Sequence, residues 1–409
     1  MGSTGVWIAG SYQSDFSRNL LREGLEVSDL VAEVVDGTIE DAHLDHGVVQ
    51  SIHVGNAFGQ LFNGQGQLGA MPATVDGRFW GLPAARHEAA CASGSVAVLA
   101  AMAEIEAGRY DCVLVLGIEQ ERNVPGADAP SHLGAAAWVG HEGGDAKFMW
   151  PYMFSQIGDE YQRRYGLNDE HLHAIAELNT RNARANPLAQ TREWKYTDAS
   201  FSDSDKDNPI VEGRLRRTDC SQVTDGGAGV LLVSDRFRDT TKSGRGAARI
   251  LGWAHATAGL ALQQKLVRSR EETHVFPHVR HVVSQALERA GIGDVHELDG
   301  IEVHDCFSMS EYVAIDHFGI TGPGESWKAI ENGDLERNGS IPINPSGGLI
   351  GIGHPVGATG VRMLHDATRQ VTGRAQDCQV VGARRFATLN IGGSLTTTVS
   401  FVVGGDGED

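Results

Sequence analysis

Two stretches of the chain share one pattern of hydrophobic and polar positions. Apolar residues recur at helical spacing from Asp29 to Ala42 and again from His278 to Ala290. Each helix candidate is followed by a short apolar run typical of a buried strand, over residues 51–58 and residues 300–307. The pattern therefore predicts helix, turn and strand at both places.

A second pair of matching segments lies further along the chain. Ala92-Ser93-Gly94 matches Ala358-Thr359-Gly360, and residues 111–115 match residues 377–381 at the same offset. In both copies a helical pattern joins the two segments and ends near a glycine, and the second segment predicts a buried strand. The duplication predicts two related α/β halves.

The region between the halves has a different texture. It holds helix candidates at Ser155 to Tyr165 and Asp169 to Ala185, then a polar run from Thr191 to Asp207. An insertion of this size is expected to carry a binding surface. The predicted division is an N-terminal half, a segment that completes it, an insertion between these two, and a C-terminal half: residues 1–120, 221–247, 121–220 and 248–409.

Composition and charge narrow the class of protein. A chain of 409 residues that is 41% hydrophobic and 21% charged is typical of a soluble globular protein with room for two or three packed units. A formal charge of −19 argues against a surface for nucleic acid or anionic membranes, which requires clustered Lys and Arg. We expect small molecules and other proteins as partners, with no nucleic acid and no membrane.

The cysteines and the first residues indicate a compartment. Five cysteines is an odd count for a disulfide framework, and the sequence after Met1 lacks the charged and apolar pattern of a secretory leader. No run approaches the roughly 18 apolar residues of a membrane helix. We therefore expect a reducing, cytoplasmic environment.

Cys91 is the first candidate for chemistry. It precedes the small residues Ala92-Ser93-Gly94 and an apolar stretch of helical character from Val96 to Glu106. Backbone N–H groups and the positive end of a helix dipole favour thiolate over thiol, so we expect Cys91 to be an activated nucleophile. Three other thiols are expected to be core residues: Cys112, Cys220 and Cys378.

Three further candidates belong to the second half of the chain. His304 and Cys306 stand where the first half has Gly55 and Ala57, and His354 lies in a glycine-rich turn. Polar residues present in only one copy of a duplicated scaffold do not serve the packing that both copies share. They are therefore candidates for function.

Other interpretations of these residues were weighed. The glycine-rich stretch over residues 351–360 matches neither a dinucleotide fingerprint nor a phosphate-binding loop. The two thiols and two imidazoles are zinc-type ligands, but only His304 and Cys306 are close in sequence, whereas structural zinc sites usually use paired clips. Division of acid–base and nucleophilic work between them is favoured.

Together these motifs resemble the thiolase superfamily over nearly the whole chain. The matching segments are Cys91-Ala92-Ser93-Gly94, His304-Asp305-Cys306-Phe307 and Gly353-His354-Pro355. The resemblance implies an α/β thiolase fold, with two related βαβαβ-type halves in a layered αβαβα core and an inserted loop domain. The segment Leu389-Asn390-Ile391-Gly392-Gly393 lacks the C-terminal catalytic thiol of ordinary thiolases. This departure resembles the sterol-carrier-protein-type thiolases and acetyl-CoA acetyltransferases, in which the second thiol lies in the His-Asp-Cys-Phe motif.

The resemblance also implies roles for the residues. Cys91 would attack a 3-ketoacyl-CoA after His354 takes its proton, and Cys306 would protonate the departing enolate. His304 and His354 would face the thioester oxygen, while the N–H groups of Cys91 and Gly392 would face the acyl-cysteine oxygen. Coenzyme A and acyl-CoA enter as substrates, with no metal or prosthetic group. The resemblance further implies a homodimer or tetramer, and a small OB-fold protein as a possible partner.

Alternatives remain open at this point. A ketosynthase-like enzyme has no need of the thiol of Cys306, and a retro-aldolase of this superfamily lacks the thiol of Cys91. A non-catalytic acyl-CoA-binding scaffold that works with a partner is a third alternative. A basic turn is expected to be solvated, although it could also meet CoA phosphates: Arg214, Arg216 and Arg217.

Overall fold

The computed structural model describes residues 4–241 and 247–407. Residues 1–3, 242–246 and 408–409, which the predicted halves include, lie outside the described residues. The strands are β1 (Val6–Gln13), β2 (Ser51–Gly55), β3 (Ala84–His87), β4 (Cys112–Glu119), β5 (Ile210–Glu212), β6 (Leu215–Arg216), β7 (Gly226–Ser234), β8 (Ala248–Thr257), β9 (Gly300–Val303), β10 (Arg385–Gly392) and β11 (Thr397–Gly404).

The helices complete the list of elements. They are α1 (Leu20–Glu23), α2 (Val27–Asp41), α3 (Gly59–Phe62), α4 (Met71–Val75), α5 (Ser93–Glu106), α6 (Ala129–Gly134), α7 (Met149–Tyr165), α8 (Glu170–Ala183), α9 (Asp235–Thr241), α10 (Leu262–Arg268), α11 (Pro277–Arg289), α12 (Ser308–Phe318), α13 (Ser326–Asn332), α14 (Gly348–Ile352) and α15 (Thr359–Val371). Within residues 4–241 and 247–407, none of them has the length and apolar character needed to cross a bilayer.

The strands form two sheets that meet at a narrow seam. Their order is β3-β2-β4-β7-β1-β8-β11-β10-β9. Main-chain pairing between β1 and β8 is confined to two residue pairs, Trp7 with Arg249 and Ile8 with Ala248. The same pattern occurs on both sides of the seam: β2 and β4 are parallel, as are β9 and β10, and β7 and β11 run antiparallel to their neighbours. The architecture is therefore internally duplicated.

Helices fill the space between the sheets and cover their outer faces. Buried apolar side chains of α5 and α15, including Val98, Ala101 and Leu364, share one core cluster with Val115 of β4 and Val399 of β11. The helix α2 packs on the outer face of the first sheet, and α11 packs on the outer face of the second. The result is a layered αβαβα arrangement, because each sheet is apolar on both faces and must be covered twice.

The predicted repeat is present in three of its four segments. The first helix candidates correspond to α2 and α11, and the strands β2 and β9 follow them. The strand predicted over residues 377–381 is wrong: Gln376–Cys378 is a 3₁₀ turn, and Val381 is 97% exposed. Positive φ angles at Gln376 (52°) and Gly382 (78°) turn the chain there, so the paired strand starts only at Arg385.

The region between the halves is helical and packs against the second half. Its predicted helices correspond to α7, which begins six residues earlier at Met149, and α8. Buried side chains of both helices, including Tyr161 and Leu172, share a core cluster with Tyr312 of α12 and Leu349 of α14. These contacts fix the region over the end of the second sheet that bears the motif at residues 304–307.

Candidate active site

The N-terminal ends of α5 and α15 meet at the centre of the molecule. A Cβ atom at Gly94 would lie 2.8 Å from the carbonyl oxygen of Gly357, and one at Gly360 would lie 2.5 Å from the backbone nitrogen of Ser95. Neither position has space for a side chain. Gly94 and Gly360 are the matching glycines of the two repeated triplets, so the duplication explains why two helix starts, each preceded by a motif, are in contact.

A tight turn presents Cys91 directly before α5. Ala90 has a φ of 50°, in the left-handed region that residues other than glycine rarely adopt. Such a conformation costs about 1–2 kcal/mol. The turn is held by hydrogen bonds from the Ala92 N–H to the Ala89 oxygen (3.1 Å) and from the Ser93 hydroxyl to the Ala90 oxygen (2.6 Å). The strain is localised at the candidate nucleophile, as is common at functional sites.

The surroundings of Cys91 raise the pKa of its thiol to about 12. Burial is the largest cause, followed by the negative charge of Glu121, and the Gly393 N–H, which hydrogen-bonds the sulfur, opposes them only in part. The expectation that the helix start lowers this pKa is therefore wrong, because loss of water outweighs the helix dipole. Cys91 rests as a thiol and needs a base to become a nucleophile.

His354 is held by its backbone. Gly353 has a φ of 113°, and a Cβ atom at this position would lie 2.8 Å from the Thr224 hydroxyl oxygen, so only glycine fits. That same hydroxyl oxygen accepts a hydrogen bond from the His354 N–H at 2.8 Å. The turn predicted at this position therefore has a specific backbone anchor on the segment before β7.

The ring of His354 has a defined proton position. Its Nδ1 lies 2.7 Å from the hydroxyl oxygen of Thr359, whose own proton goes to the Pro355 carbonyl oxygen at 3.0 Å. The hydroxyl oxygen therefore accepts from Nδ1–H, and Nε2 keeps its lone pair. Burial, with a smaller contribution from Arg362, lowers the pKa of His354 to about 3, so the ring is neutral.

His304 lies against His354. The two ring centroids are 5.0 Å apart and the planes meet at 83°. Burial and the neighbouring His354 hold the pKa of His304 well below its usual value. One ligand atom each from Cys91, His304 and His354 lie within 4.8 Å of one another, which brings together three of the four predicted catalytic residues. The same spacing could accommodate a metal ion, the alternative weighed from the sequence.

Cys306, the fourth, lines the same cavity as Cys91 and His354. Its carbonyl oxygen accepts a hydrogen bond from the Ser221 N–H at 2.9 Å, and its sulfur lies 3.7 Å from the Ser310 hydroxyl. Burial, and then the proximity of Cys91, raise the pKa of the Cys306 thiol well above its usual value. A neutral thiol at this position is a proton donor.

Two buried carboxyl groups fix the His354 loop, and the sequence analysis missed both as site residues. Glu119 accepts hydrogen bonds from the Ala57 N–H (2.8 Å) and the Gly357 N–H (3.0 Å), and Glu121 accepts one from the Val356 N–H (3.2 Å). Burial raises the pKa of Glu119 to about 7 and that of Glu121 well above its usual value, to which Glu119 contributes. Two acids directly at the end of an apolar strand were the available signal.

The loop after β10 passes beside Cys91. A Cβ atom at Gly392 would lie 2.2 Å from the Ala89 oxygen, so the two backbones are in direct contact. The next residue supplies the N–H that reaches the Cys91 sulfur. The predicted role of Gly392 as an oxyanion donor stays a prediction, and Gly393 is an additional donor in the same loop.

The candidate catalytic groups open into an apolar cavity of about 500 Å³. Its walls come largely from the region between the halves, with additions from both halves. They include the following side chains: Phe58, Val124, Leu133, Phe148, Met149, Trp150, Phe154, Phe307 and Val356. The volume and the apolar walls suit a small organic ligand with a hydrocarbon part.

Two other sequence interpretations can be compared with the structure. The expectation that Cys220 is a core residue is wrong, since it is half-buried and lines the cavity, where its thiol donates to the Arg216 oxygen at 3.3 Å. The basic turn is occupied by partners within the protein, with Arg214 on Asp169 (2.8 Å), Arg216 on Asp205 (2.8 Å) and Arg217 on the Asp207 carbonyl (2.6 Å).

The fold and the cluster can be set beside known proteins. Residues 6–236 match the family "Thiolase, N-terminal domain", and residues 259–405 match "Thiolase C-terminal domain-like". The chain belongs to the thiolase family. The thiolase fold and the thiolase-type acyltransferase expected from the motifs are therefore confirmed, and this enzyme has the two-half architecture of its family.

Curated relatives agree with this assignment. An acetyl-CoA acetyltransferase of Methanothermobacter thermautotrophicus is 32% identical over 90% of this thiolase and 91% of its own length. Sterol carrier protein 2 of Gallus gallus is 28% identical over 96% of this chain and 71% of its own length. The relatives thus include the sterol-carrier-protein type that the His-Asp-Cys-Phe motif indicates.

Solved structures show the same fold at lower identity. The structure titled "Ltp2-ChsH2(DUF35) aldolase" superposes with a TM-score of 0.78 at 21% identity, and covers 99% of this thiolase and 98% of that chain. An acetyl-CoA acetyltransferase from Syntrophomonas wolfei superposes with a TM-score of 0.73 at 17% identity, over 99% of this chain and 100% of that chain.

Proposed function

We propose that the enzyme cleaves 3-ketoacyl-CoA with coenzyme A, or condenses two acyl-CoA molecules in reverse, through an acyl-Cys91 intermediate. The observation that carries this proposal is that Cys91, Cys306 and His354 line one apolar cavity, with His304 against His354. A nucleophilic thiol, a second thiol and two imidazoles are the groups that this chemistry requires.

The first half-reaction uses three of these groups. Nε2 of His354 takes the proton of Cys91 as the sulfur attacks the 3-keto carbon. The bond between C2 and C3 then breaks, the acyl group stays on Cys91, and the electron pair leaves with acetyl-CoA as its enolate. The thiol of Cys306 gives its proton to C2, which releases acetyl-CoA. The low pKa of His354 makes its protonated state short-lived, so transfer and attack are closely coupled.

The second half-reaction restores the enzyme. The Cys306 thiolate takes the proton of an incoming coenzyme A thiol, whose sulfur attacks the acyl-Cys91 carbonyl. Cys91 leaves as a thiolate and recovers its proton from His354. All four groups return to their starting states, and the products are acetyl-CoA and a shortened acyl-CoA.

Negative charge develops on two different oxygens during this cycle. His304 and His354 serve the oxygen of the thioester that becomes the enolate. The N–H groups of Cys91 and Gly392 serve the oxygen of the acyl-cysteine, and the Gly393 N–H adjoins them. Donors fixed in a site without bulk water are worth about 2.7–4 kcal/mol each in transition-state stabilisation.

The substrate, the setting and the assembly belong to the same proposal. Coenzyme A and acyl-CoA are substrates, with no metal or prosthetic group taking part, and the enzyme works in the cytoplasm. The chain divides functionally into two catalytic halves and a cavity-forming insertion over residues 121–220. The exposed strand β3 forms the edge of the first sheet, which favours assembly as a homodimer or tetramer by strand pairing. A small OB-fold partner is supported by the DUF35 component named in the structural neighbour.

A thiolysis assay tests the function. The enzyme is expected to consume 3-ketoacyl-CoA only with coenzyme A, seen as loss of the enolate–magnesium absorbance, and a panel from short linear to sterol-derived acyl chains gives its specificity. Mass spectrometry after incubation with acyl-CoA should find the acyl adduct on Cys91. The Cys306→Ala variant should keep the adduct and lose turnover, whereas Cys378→Ala, a buried thiol away from the cavity, should keep both. Binding without an adduct would instead indicate a scaffold.

Retro-aldol cleavage is the second candidate, because a structural neighbour that covers 99% of the chain is an aldolase by its title. Such cleavage needs no acyl-cysteine. It therefore predicts that Cys91→Ala retains cleavage of a 3-hydroxyacyl-CoA without added coenzyme A. Loss of all cleavage in that variant would exclude it.

A further inference from the structure

A buried amide of β10 joins the two halves of the site. The side chain of Asn390 is 1% exposed, and its Nδ2 donates to the Cys91 carbonyl oxygen at 3.1 Å and lies 3.1 Å from Nδ1 of His304. Its Oδ1 accepts from the Ser95 hydroxyl at 2.8 Å. A single side chain therefore contacts the nucleophile turn, the start of α5 and the imidazole of the opposite half.

The orientation of this amide follows from its partners. The Cys91 carbonyl oxygen can only accept a hydrogen bond, so it must face the NH₂ group of Asn390. The Ser95 hydroxyl then supplies the proton that Oδ1 accepts. Rotating the amide by 180° would set two oxygen acceptors against each other at 3.1 Å, without water to relieve them.

This orientation determines the tautomer of His304. Because the Asn390 NH₂ group is the donor, Nδ1 of His304 must be the acceptor and carries no proton. A neutral imidazole then has its single proton on Nε2. His354 is set the opposite way, with its proton on Nδ1 toward Thr359 and its lone pair on Nε2.

We propose that Asn390 is a positioning residue that holds His304 in the Nε2–H tautomer, so that His304 acts as a hydrogen-bond donor while His354 acts as the base. The catalytic consequence rests on the proposed function, since the donor is useful only where an enolate oxygen forms. The tautomer itself does not rest on it. It also disfavours metal ligation by His304, because Nε2 carries a proton as long as Asn390 donates to Nδ1.

The tautomer can be observed directly in the unmodified enzyme. Nitrogen NMR of protein labelled with ¹⁵N-histidine distinguishes a protonated ring nitrogen from an unprotonated one, and the spectrum of His304→Gln assigns the signal. We expect Nε2 of His304 to be protonated and Nδ1 to be bare. A protonated Nδ1 overturns the proposal without any variant of Asn390.

Asn390→Asp tests the positioning role. Its carboxylate only accepts, so it draws the proton of His304 onto Nδ1 and removes the Nε2–H donor. We expect kcat to fall by about 10²–10³, the usual loss of one oxyanion donor, with little change in KM. The NMR signal of His304 should change to the protonated-Nδ1 pattern in the same variant.

Asn208→Asp is the matched control for a buried carboxylate. Asn208 is fully buried, donates to the Ser202 oxygen at 3.2 Å and accepts from Thr218 at 3.1 Å, away from the cavity residues. Its kcat should stay near that of the unmodified enzyme. A wild-type kcat in Asn390→Asp overturns the positioning role. If the unmodified enzyme shows the Nε2–H tautomer but no acyl transfer, the proposed function fails and the assigned tautomer stands.

Discussion

At the scale of single residues, the site depends on neutral groups. Cys91 and Cys306 have raised pKa values, and His304 and His354 have lowered ones, all with burial as the largest cause. Four uncharged groups in contact avoid the cost of desolvating ions. Protons can then move among them during the reaction without a permanent charge in the cavity.

Glu121 modulates the nucleophile, because its negative charge is the second cause of the raised Cys91 pKa. Glu121→Gln removes that charge, so the thiolate becomes easier to form and the pKa of Cys91 falls. The rate of alkylation by iodoacetamide, followed against pH, should therefore rise at a lower pH than in the unmodified enzyme. Glu193→Gln, an exposed residue of the insertion, should leave the curve in place. A shift to higher pH would contradict this electrostatic role.

His304→Ala removes the donor proposed for the thioester oxygen. This interaction strengthens as charge develops, so kcat should fall by about 10²–10³ while KM for the acyl-CoA changes much less. Steady-state kinetics with one 3-ketoacyl-CoA separate the two parameters. Equal loss in kcat and in affinity would assign His304 to substrate binding.

Motifs predicted which side chains converge here, but not how they are held. Cys91, His304, Cys306 and His354 lie in segments with recognisable neighbours, and the structure brings all four together. Asn390 was visible only as part of a segment that lacks a thiol. Its importance comes from contacts to residues 299 and 86 positions away, which no local pattern contains.

At the scale of elements, the substrate cavity is formed by helices whose order the sequence gave little reason to expect at this site. Trp150 of α7 donates from its indole N–H to the Leu133 oxygen of α6 at 2.9 Å, and its ring also reaches toward Gly393. This contact links the wall of the cavity to the loop beside Cys91. The fit of the acyl chain therefore depends on the position of α7.

Trp150→Ala should enlarge the cavity next to the reacting carbons. We expect kcat/KM for bulky or branched 3-ketoacyl-CoA to rise by about tenfold relative to a short linear one, because one to two methylene groups of fit are worth this much. The ratio of the two specificity constants measures the effect. Trp194→Ala, in the same insertion but exposed and away from the cavity, should leave the ratio unchanged. An unchanged ratio in Trp150→Ala would remove this side chain from the specificity wall.

At the scale of the whole molecule, the contact of α5 with α15 sets the relation of the halves. Periodicity predicted both halves and their helices, since each is a local pattern of hydrophobic positions. The crossing itself was not predictable, because it depends on which surfaces of two distant segments fit together. The matching glycines at residues 94 and 360 were visible as a repeat, and only the structure shows that they touch each other's helices.

Gly360→Ala tests this crossing. The new Cβ atom would lie 2.3 Å from the Ser95 hydroxyl oxygen and 2.5 Å from the Ser95 nitrogen, so the helices must separate. Overpacking of this kind costs about 1–3 kcal/mol of unfolding free energy, measurable by denaturant titration. Gly134→Ala in α6 has no atom within 4 Å of the new Cβ and should be neutral or slightly stabilising. Equal stability of the two variants would mean that the crossing tolerates a side chain.

The seam between β1 and β8 has a mechanical consequence. With only two residue pairs joined there, the backbone does little to keep one half from sliding against the other. The apolar filling between the sheets must supply that stiffness, although it contains none of the reacting groups. A void opened deep in this filling, for instance at Leu364, would loosen the alignment of Cys91 with the imidazoles. Catalytic precision in this enzyme is thus a property of its packing density as much as of its chemistry.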